Sequence, residues 1–372
     1  MTLSKIHQAR LLVLCLVLSL FSLGCQRMGM STISDAKLQE KYGASNSQFT
    51  TVDGTKMHYR IDGNPDAPLL VLLHGVLADT HTWDGWVQNL GSKYHILRID
   101  LPGFGLSEPL ANKNYTPEYA VELFEKMRMQ LGDEHPELKA KAERFLLAGN
   151  SLGGFVSWFY ATKHPERIEK LVLIDPIAYQ QPLPRIIKFA SGGFGGTMAQ
   201  IAALRSIVKR NVKKVYGHPE SVTDVIIDRY HDLLLKKGHK NSMVEYFKVL
   251  RKYNDEDSMA KFVPQIKVPT LLMWGGKDRW VPPELIDKWK RDVDGLQVKV
   301  YAEGGHIPME EWPDETSRDA DEFLGGGASS SSVASAGDEA EAAEPTAAAE
   351  ESAEEAWGVP AKKTGSGKTA HK

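Results

Sequence analysis

The chain has 372 residues, 42% of them hydrophobic and 25% charged, with a formal net charge of −3. That length can bury one large core or two modest ones. The near-neutral balance, without a long basic stripe, argues against a nucleic-acid partner, and nothing in the composition is fibrous or multi-span.

The first segment reads as a leader. Lys5, His7 and Arg10 precede an apolar stretch from Leu11 to Leu23, interrupted by Ser19 and Ser22. Thirteen residues are short for a spanning helix, which needs about 20, and the layout is that of a signal peptide over 1–24. It ends in Ser22-Leu23-Gly24-Cys25, which resembles the bacterial lipobox, although that pattern prefers an aliphatic residue where Ser22 stands. The resemblance implies cleavage before Cys25 and lipidation of its thiol. The expected product is a membrane-anchored lipoprotein of the bacterial cell envelope. The chain contains only Cys15 and Cys25, so the processed form could hold no internal disulfide. Residues 25–46 are expected to be a polar tether.

Strand-like apolar runs follow at Lys56–Ile61, Leu69–Leu73, His95–Ile99, Phe145–Leu147, Leu171–Ile174, Thr270–Trp274 and Val298–Tyr301. Helical periodicity appears at Pro117–Leu131, Leu152–Lys163, Pro283–Arg291 and Glu315–Leu324. This alternation predicts a doubly wound, mostly parallel α/β sheet, split into 47–177 and 266–324. Between Asp175 and Val268, about 90 residues hold no convincing strand, a length that should carry structure of its own. Helix-spaced apolar residues at Met198–Val215, Ser221–Lys236 and Met243–Tyr253 predict a helical cap over 178–265. Within it, Gly-Gly-Phe-Gly-Gly at 192–196 reads as a hinge or loop. From Gly325 the composition turns Gly/Ser-rich and then Ala/Glu-rich, which predicts a disordered tail over 325–372. The terminal Gly-Ser-Gly-Lys-Thr lacks the leading glycine, strand and helix of a phosphate-binding loop.

Ligands of open α/β sheets bind beyond the C-terminal strand ends. Four such ends carry chemistry. Leu69–Leu73 runs into His74-Gly75-Val76-Leu77, and Phe145–Leu147 into Gly149-Asn150-Ser151-Leu152-Gly153. Thr270–Trp274 runs into Gly275-Gly276-Lys277-Asp278, and Val298–Tyr301 into Glu303-Gly304-Gly305-His306. Gly-x-Ser-x-Gly fits a strand–turn–helix elbow that exposes a serine. A serine hydroxyl needs a base to take its proton. His306 is the candidate base, and Asp278 the acid that fixes its tautomer. Asp175, also just past a strand, is the alternative acid. The N–H of Leu152 would face a developing oxyanion.

With "LLVLLHG", "RIDLPGFGLS", "LLAGNSLGG", "LLMWGGKDRWVP" and "EGGHIPMEEWP" in this order, the chain resembles the α/β-hydrolase superfamily over about 50–324. It is most similar to the serine esterases and lipases, and to the bacterial monoacylglycerol-lipase-like group, which commonly carries a lipoprotein signal. The resemblance implies a second oxyanion donor at the N–H of Val76. It implies a Ser151-His306-Asp278 triad that needs neither metal nor cofactor, and a small-molecule acyl ester as substrate. His74 reads as a structural residue of the oxyanion loop. Asp100, Gly103, Gly105 and Ser107 read as a loop brace, and Glu310 or Glu311 as a support for the His306 loop. Serine at the elbow disfavours haloalkane dehalogenase and epoxide hydrolase chemistry, which uses aspartate there. Carbon–carbon bond hydrolases and cofactor-free haloperoxidases of this fold remain alternatives, as does a non-catalytic binding protein. The acyl chain is expected beneath the cap, whose apolar stripe includes Ile226, Ile227, Leu233–Leu235, Phe247 and Leu250. Oligomeric state is left open.

Overall fold

The computed structural model describes residues 29–325. The expected signal peptide, Cys25 and the tail beyond Gly325 lie outside them. Eight strands form one sheet in the order β1-β2-β4-β3-β5-β6-β7-β8. They are β1 (Ser47–Val52), β2 (Thr55–Gly63), β3 (Leu69–Leu73), β4 (His95–Ile99), β5 (Phe145–Asn150), β6 (Ile168–Ile174), β7 (Thr270–Gly275) and β8 (Gln297–Tyr301). The β1–β2 and β2–β4 pairs are antiparallel, and every other pair is parallel. The central strands are buried along their whole length, as in Leu69–Leu73, because helices cover both faces of a parallel sheet. β8 closes one edge and is mostly exposed, with Lys299 facing solvent. An edge charge of this kind blunts pairing with other chains.

Core helices α2 (Asp84–Leu90), α3 (Pro117–Glu134), α4 (Leu152–Lys163), α10 (Ile286–Asp292) and α11 (Pro313–Gly325) pack against the sheet. Between β6 and β7 the chain forms α5 (Arg185–Ala190), α6 (Gly193–Ile201), α7 (Arg205–Val212), α8 (Asp224–Leu234) and α9 (His239–Glu256). No described helix is long and apolar enough to cross a membrane.

Four readings of the sequence change. Strand β1 was not anticipated: Ser-Gln-Phe-Thr-Thr-Val lacks a clean apolar alternation, and it forms because β2 offers it a full antiparallel register. Gly192–Gly196 is no hinge, since α6 begins inside it. A Cβ on Gly195 would stand 2.1 Å from the Phe189 carbonyl oxygen, so glycine here lets α5 and α6 approach closely. The segment 198–215 is two helices, broken at Ala202–Leu204. The expected tether contains a helix, α1 (Asp35–Tyr42), whose Leu38 packs with Leu106 and Leu233. Ile33 N–H bonds Leu235 O at 3.0 Å, and Tyr42 and Lys41 both reach Asp232. Residues 29–42 are therefore strapped along the inserted helices.

Candidate active site

The loop after β5 turns sharply into α4. Ser151 sits at its apex with φ 52° and ψ −112°, a conformation side chains rarely adopt. The neighbouring glycine makes the turn possible, because a Cβ on Gly153 would lie 2.2 Å from the Leu73 carbonyl oxygen. The loop after β3 comes equally close. A Cβ on Gly75 would lie 3.1 Å from that of Ser151, so a side chain there would push Val76 away from the elbow. Among the described residues, the N–H groups of Val76 and Leu152 have no protein acceptor. The loop's own turn, Ala78 N–H to Gly75 O at 3.2 Å, is closed by Leu77 at φ 64°.

The ends of β7 and β8 supply the acid and the imidazole. His306 Nδ1 lies 2.7 Å from Asp278 Oδ2, and both side chains are almost fully buried. The other carboxylate oxygen, Oδ1, accepts the N–H groups of Trp280 at 2.7 Å and Val281 at 3.1 Å. Trp280 stacks on the His306 ring, with centroids 6.4 Å apart and planes 22° apart. Asn150 fastens the elbow to this loop, donating to His306 O at 2.9 Å and Ile174 O at 3.1 Å. Ser151 and His306 line one cavity of about 360 Å³, together with Val76, Phe247 and Trp280.

Asp175 joins the same cluster. It ends β6 at φ 45°, is fully buried, and its Oδ1 accepts the Gly275 N–H at 2.9 Å. Its Oδ2 has no partner among the hydrogen bonds of the described residues. Asp175, Asp278 and His306 each present a ligand atom within 4.8 Å of the others. Burial, then the adjacent Asp278 carboxylate, push the Asp175 carboxyl well above the usual carboxylate range. Protonation of Asp175 would let it donate towards the Asp278 carboxylate and would remove the repulsion between the two. A carboxyl held neutral is also a poor metal ligand.

The supporting residues divide cleanly. His74 Nδ1 lies 2.7 Å from Gly75 O while Nε2 accepts the Leu101 N–H, which makes it a loop brace. Asp100 accepts from Thr80 and Leu106 N–H and pairs with His58 at 2.7 Å. Although desolvation opposes the charge, His58 and His74 hold its carboxyl down at about 2. Ser107 donates to Asp100 O, and Gly105 leaves room for the carboxylate. Glu311 accepts Gly305 N–H at 2.6 Å and Gly217 N–H at 2.8 Å, tying the His306 loop to the insertion. Glu310 accepts from Tyr216 at 2.9 Å and Arg229 at 2.7 Å. Arg229, on α8, also lies 3.3 Å from Asp79. It clamps the inserted helices to the loops after both β3 and β8, and nothing in the sequence singled it out. Of the expected apolar stripe, Leu234 and Phe247 line the cavity, while Ile227, Leu233 and Leu235 pack in the core. Leu250 faces a second, narrower apolar cavity of about 100 Å³, shared with Leu152 and Tyr246.

A family model described as the alpha/beta hydrolase fold matches residues 68–215 and 236–313. Lipase 1 of Psychrobacter immobilis is 28% identical over 276 residues, covering 72% of this chain and 80% of that protein. A 2-hydroxy-6-oxononadienedioate/2-hydroxy-6-oxononatrienedioate hydrolase of Cupriavidus pinatubonensis is 25% identical, covering 78% of this chain and 99% of its own length. Among solved structures, a bacterial membrane phospholipase A superposes with a TM-score of 0.63 at 24% identity, covering 86% of this chain and 98% of that one. At that identity the superposition speaks for the fold alone. With the eight-stranded sheet and the family match in agreement, the chain belongs to the alpha/beta hydrolase fold family.

Proposed function

We propose that the protein is a serine hydrolase of carboxylic esters with long apolar acyl groups, acting through an acyl-enzyme. The observation that carries this reading is the juxtaposition of Ser151 and the Asp278–His306 pair at the wall of an apolar cavity. In this reading His306 takes the Ser151 proton as the hydroxyl attacks the ester carbonyl, then returns it to the departing alcohol. Asp278 holds the imidazole tautomer and favours the imidazolium. The N–H groups of Val76 and Leu152 receive the oxyanion, and losing one such donor costs about 2.7–4 kcal/mol of transition-state stabilisation. Water then releases the acid by the same route.

Carbon–carbon bond hydrolysis is the second reading, favoured by the relative from Cupriavidus pinatubonensis. The substrate in that relative's name carries two carboxylates. Among the described residues no Lys or Arg lines the Ser151 cavity, so such a dianion would find no counter-charge. Acyl glycerols or similar lipid esters suit the lining better, and Lipase 1 of Psychrobacter immobilis supports that direction.

The test compares wild type with Ser151→Ala on p-nitrophenyl esters of increasing chain length. The expected loss in kcat is up to about 10⁶-fold. Equal rates for the two proteins would favour a binding protein without catalysis. We further propose that Cys25 is lipidated and holds the enzyme at the bacterial envelope. Cys25→Ala should then abolish incorporation of radiolabelled palmitate into the chain, and unchanged incorporation would contradict the anchor.

A further inference from the structure

The chain's net charge of −3 conceals a segregated segment. Between residues 185 and 217 there are seven basic side chains and no acidic one. Arg185, Lys188, Arg210, Lys213 and Lys214 form no ion pair among the described residues. The same segment is unusually apolar on its outside. Six of the eleven exposed large hydrophobic side chains among the described residues fall between 189 and 207. Phe194 is the most exposed, at 79%.

These apolar residues are not scattered. Phe189, Phe194, Met198, Leu204 and Ile207 also line the cavity that holds Ser151. They form a lip that runs from solvent into the site. An exposed apolar patch continuous with a ligand cavity marks an interaction surface. The N-terminal strap ends at the same lip. Gly29 O accepts the Ala203 N–H at 3.2 Å and Lys240 Nζ at 2.9 Å, and Met30 is exposed beside it. The 28 residues preceding this point include the apolar stretch Leu11–Leu23.

We propose that the lip of α5, α6 and α7 seats on an anionic lipid bilayer, with the Ser151 cavity opening towards the lipid. Phe194 and its neighbours enter the boundary between headgroups and acyl chains, and the cations meet lipid phosphates. Short amphipathic helices with basic flanks bind membranes in this way. Apolar and cationic groups on one lip fit a bilayer, which offers acyl chains and phosphates together; an acidic peptide would satisfy the charges alone. The inference concerns binding and stands whether or not the cavity cleaves esters.

The test uses the full chain with Cys15→Ser and Cys25→Ser, which removes acylation at residue 25. A nitroxide is placed at Phe194→Cys or, as control, at Val225→Cys, an exposed site on α8 outside the cavity lining. On vesicles of equal parts phosphatidylglycerol and phosphatidylcholine, the label at 194 should lose access to an aqueous nickel chelate and gain access to oxygen, while the label at 225 stays wet. Charge reversal by Arg210→Glu with Lys214→Glu should weaken vesicle partitioning of the chain at least ~30-fold, from the usual worth of two surface cations. Equal water access at 194 and 225 on vesicles overturns the proposal. So does shielding of 194 without vesicles. Shielding that rises with protein concentration would assign the lip to a second copy, and concentration-independent shielding would assign it to the chain's own acidic C-terminal segment.

Discussion

Asp278 and Asp175 are close enough to exchange roles on paper, and two isosteric substitutions separate them. In Asp278→Asn, the 2.7 Å contact with His306 Nδ1 survives in shape, but an amide favours the wrong imidazole tautomer. The expected loss in kcat is about 10⁴-fold, or about 5.4 kcal/mol of barrier. Asp175→Asn should behave differently, because burial and then the adjacent Asp278 favour the protonated form of that carboxyl. An amide imitates a protonated carboxyl: its oxygen can accept the Gly275 N–H, and its NH₂ can donate towards Asp278. Its kcat should stay within about fivefold of wild type, the worth of one neutral hydrogen bond.

The stability profile gives an independent readout. Asp175 titrates near pH ~3.9 in the unfolded chain and well above that in the fold. Below pH ~4 both states hold the proton and the contribution is fully present. Between that pH and the raised folded value, only the native state keeps it, so stability falls as pH rises, by about 1.4 kcal/mol per unit. Asp175→Asn removes this decline. Urea denaturation at half-unit steps from pH 4 upward should show the variant gaining on wild type along that slope, with p-nitrophenyl butyrate hydrolysis measured on the same samples. Parallel stability curves would refute the neutral carboxyl. An Asp175→Asn enzyme as impaired as Asp278→Asn would move the orienting acid to the end of β6.

Two further outcomes follow from contacts outside the reacting groups. Arg229→Met leaves Glu310 and Asp79 facing each other without their cation, and should cost about 3–5 kcal/mol in thermal unfolding, with part recovered by Glu310→Gln in the same chain; a change below about 1 kcal/mol would refute the clamp. Ser47→Ala removes a 2.8 Å contact to His58 Nε2 and should cost about 1–2 kcal/mol while leaving ester hydrolysis at the wild-type rate, which the same two assays decide.

The sheet was legible because buried parallel strands need unbroken aliphatic runs, and Leu69–Leu73 and Thr270–Trp274 announce themselves that way. The site was legible where a strand end met an unusual residue set. Gly149 to Gly153 declares an elbow, and the Asp278 and His306 loops follow their strands at once. Legibility failed where a partner lay far along the chain. Arg229 looks like any cation on an amphipathic helix until Asp79 and Glu310, 150 and 81 residues away, are brought beside it. The glycines at 192–196 suggest flexibility until the Phe189 carbonyl shows what a side chain would strike. Strand β1 has too few apolar residues to signal itself, and α1 is held largely by Leu38 and charges on the inserted helices.

The described residues contain a second array of the same three side chains, and it shows what a triad alone does not supply. Ser47 Oγ lies 2.8 Å from His58 Nε2, and His58 Nδ1 lies 2.7 Å from Asp100 Oδ2. By hydrogen bonding this relay is as complete as any nucleophile–base–acid set. Yet Ser47 opens β1 in an unstrained strand and also accepts the Ala44 N–H at 3.0 Å. Ser47 and His58 line none of the cavities that hold Ser151 or Leu152. Asp100 is occupied in fastening the loops after β3 and β4. Ser151 differs in its surroundings: a backbone forced out of line by the elbow, two N–H groups without acceptors among the described residues, and a largely apolar cavity of about 360 Å³. Identical side chains therefore brace the sheet in one place and line a cavity in the other, and the acyl transfer proposed for Ser151 rests on the geometry of the peptide around the serine.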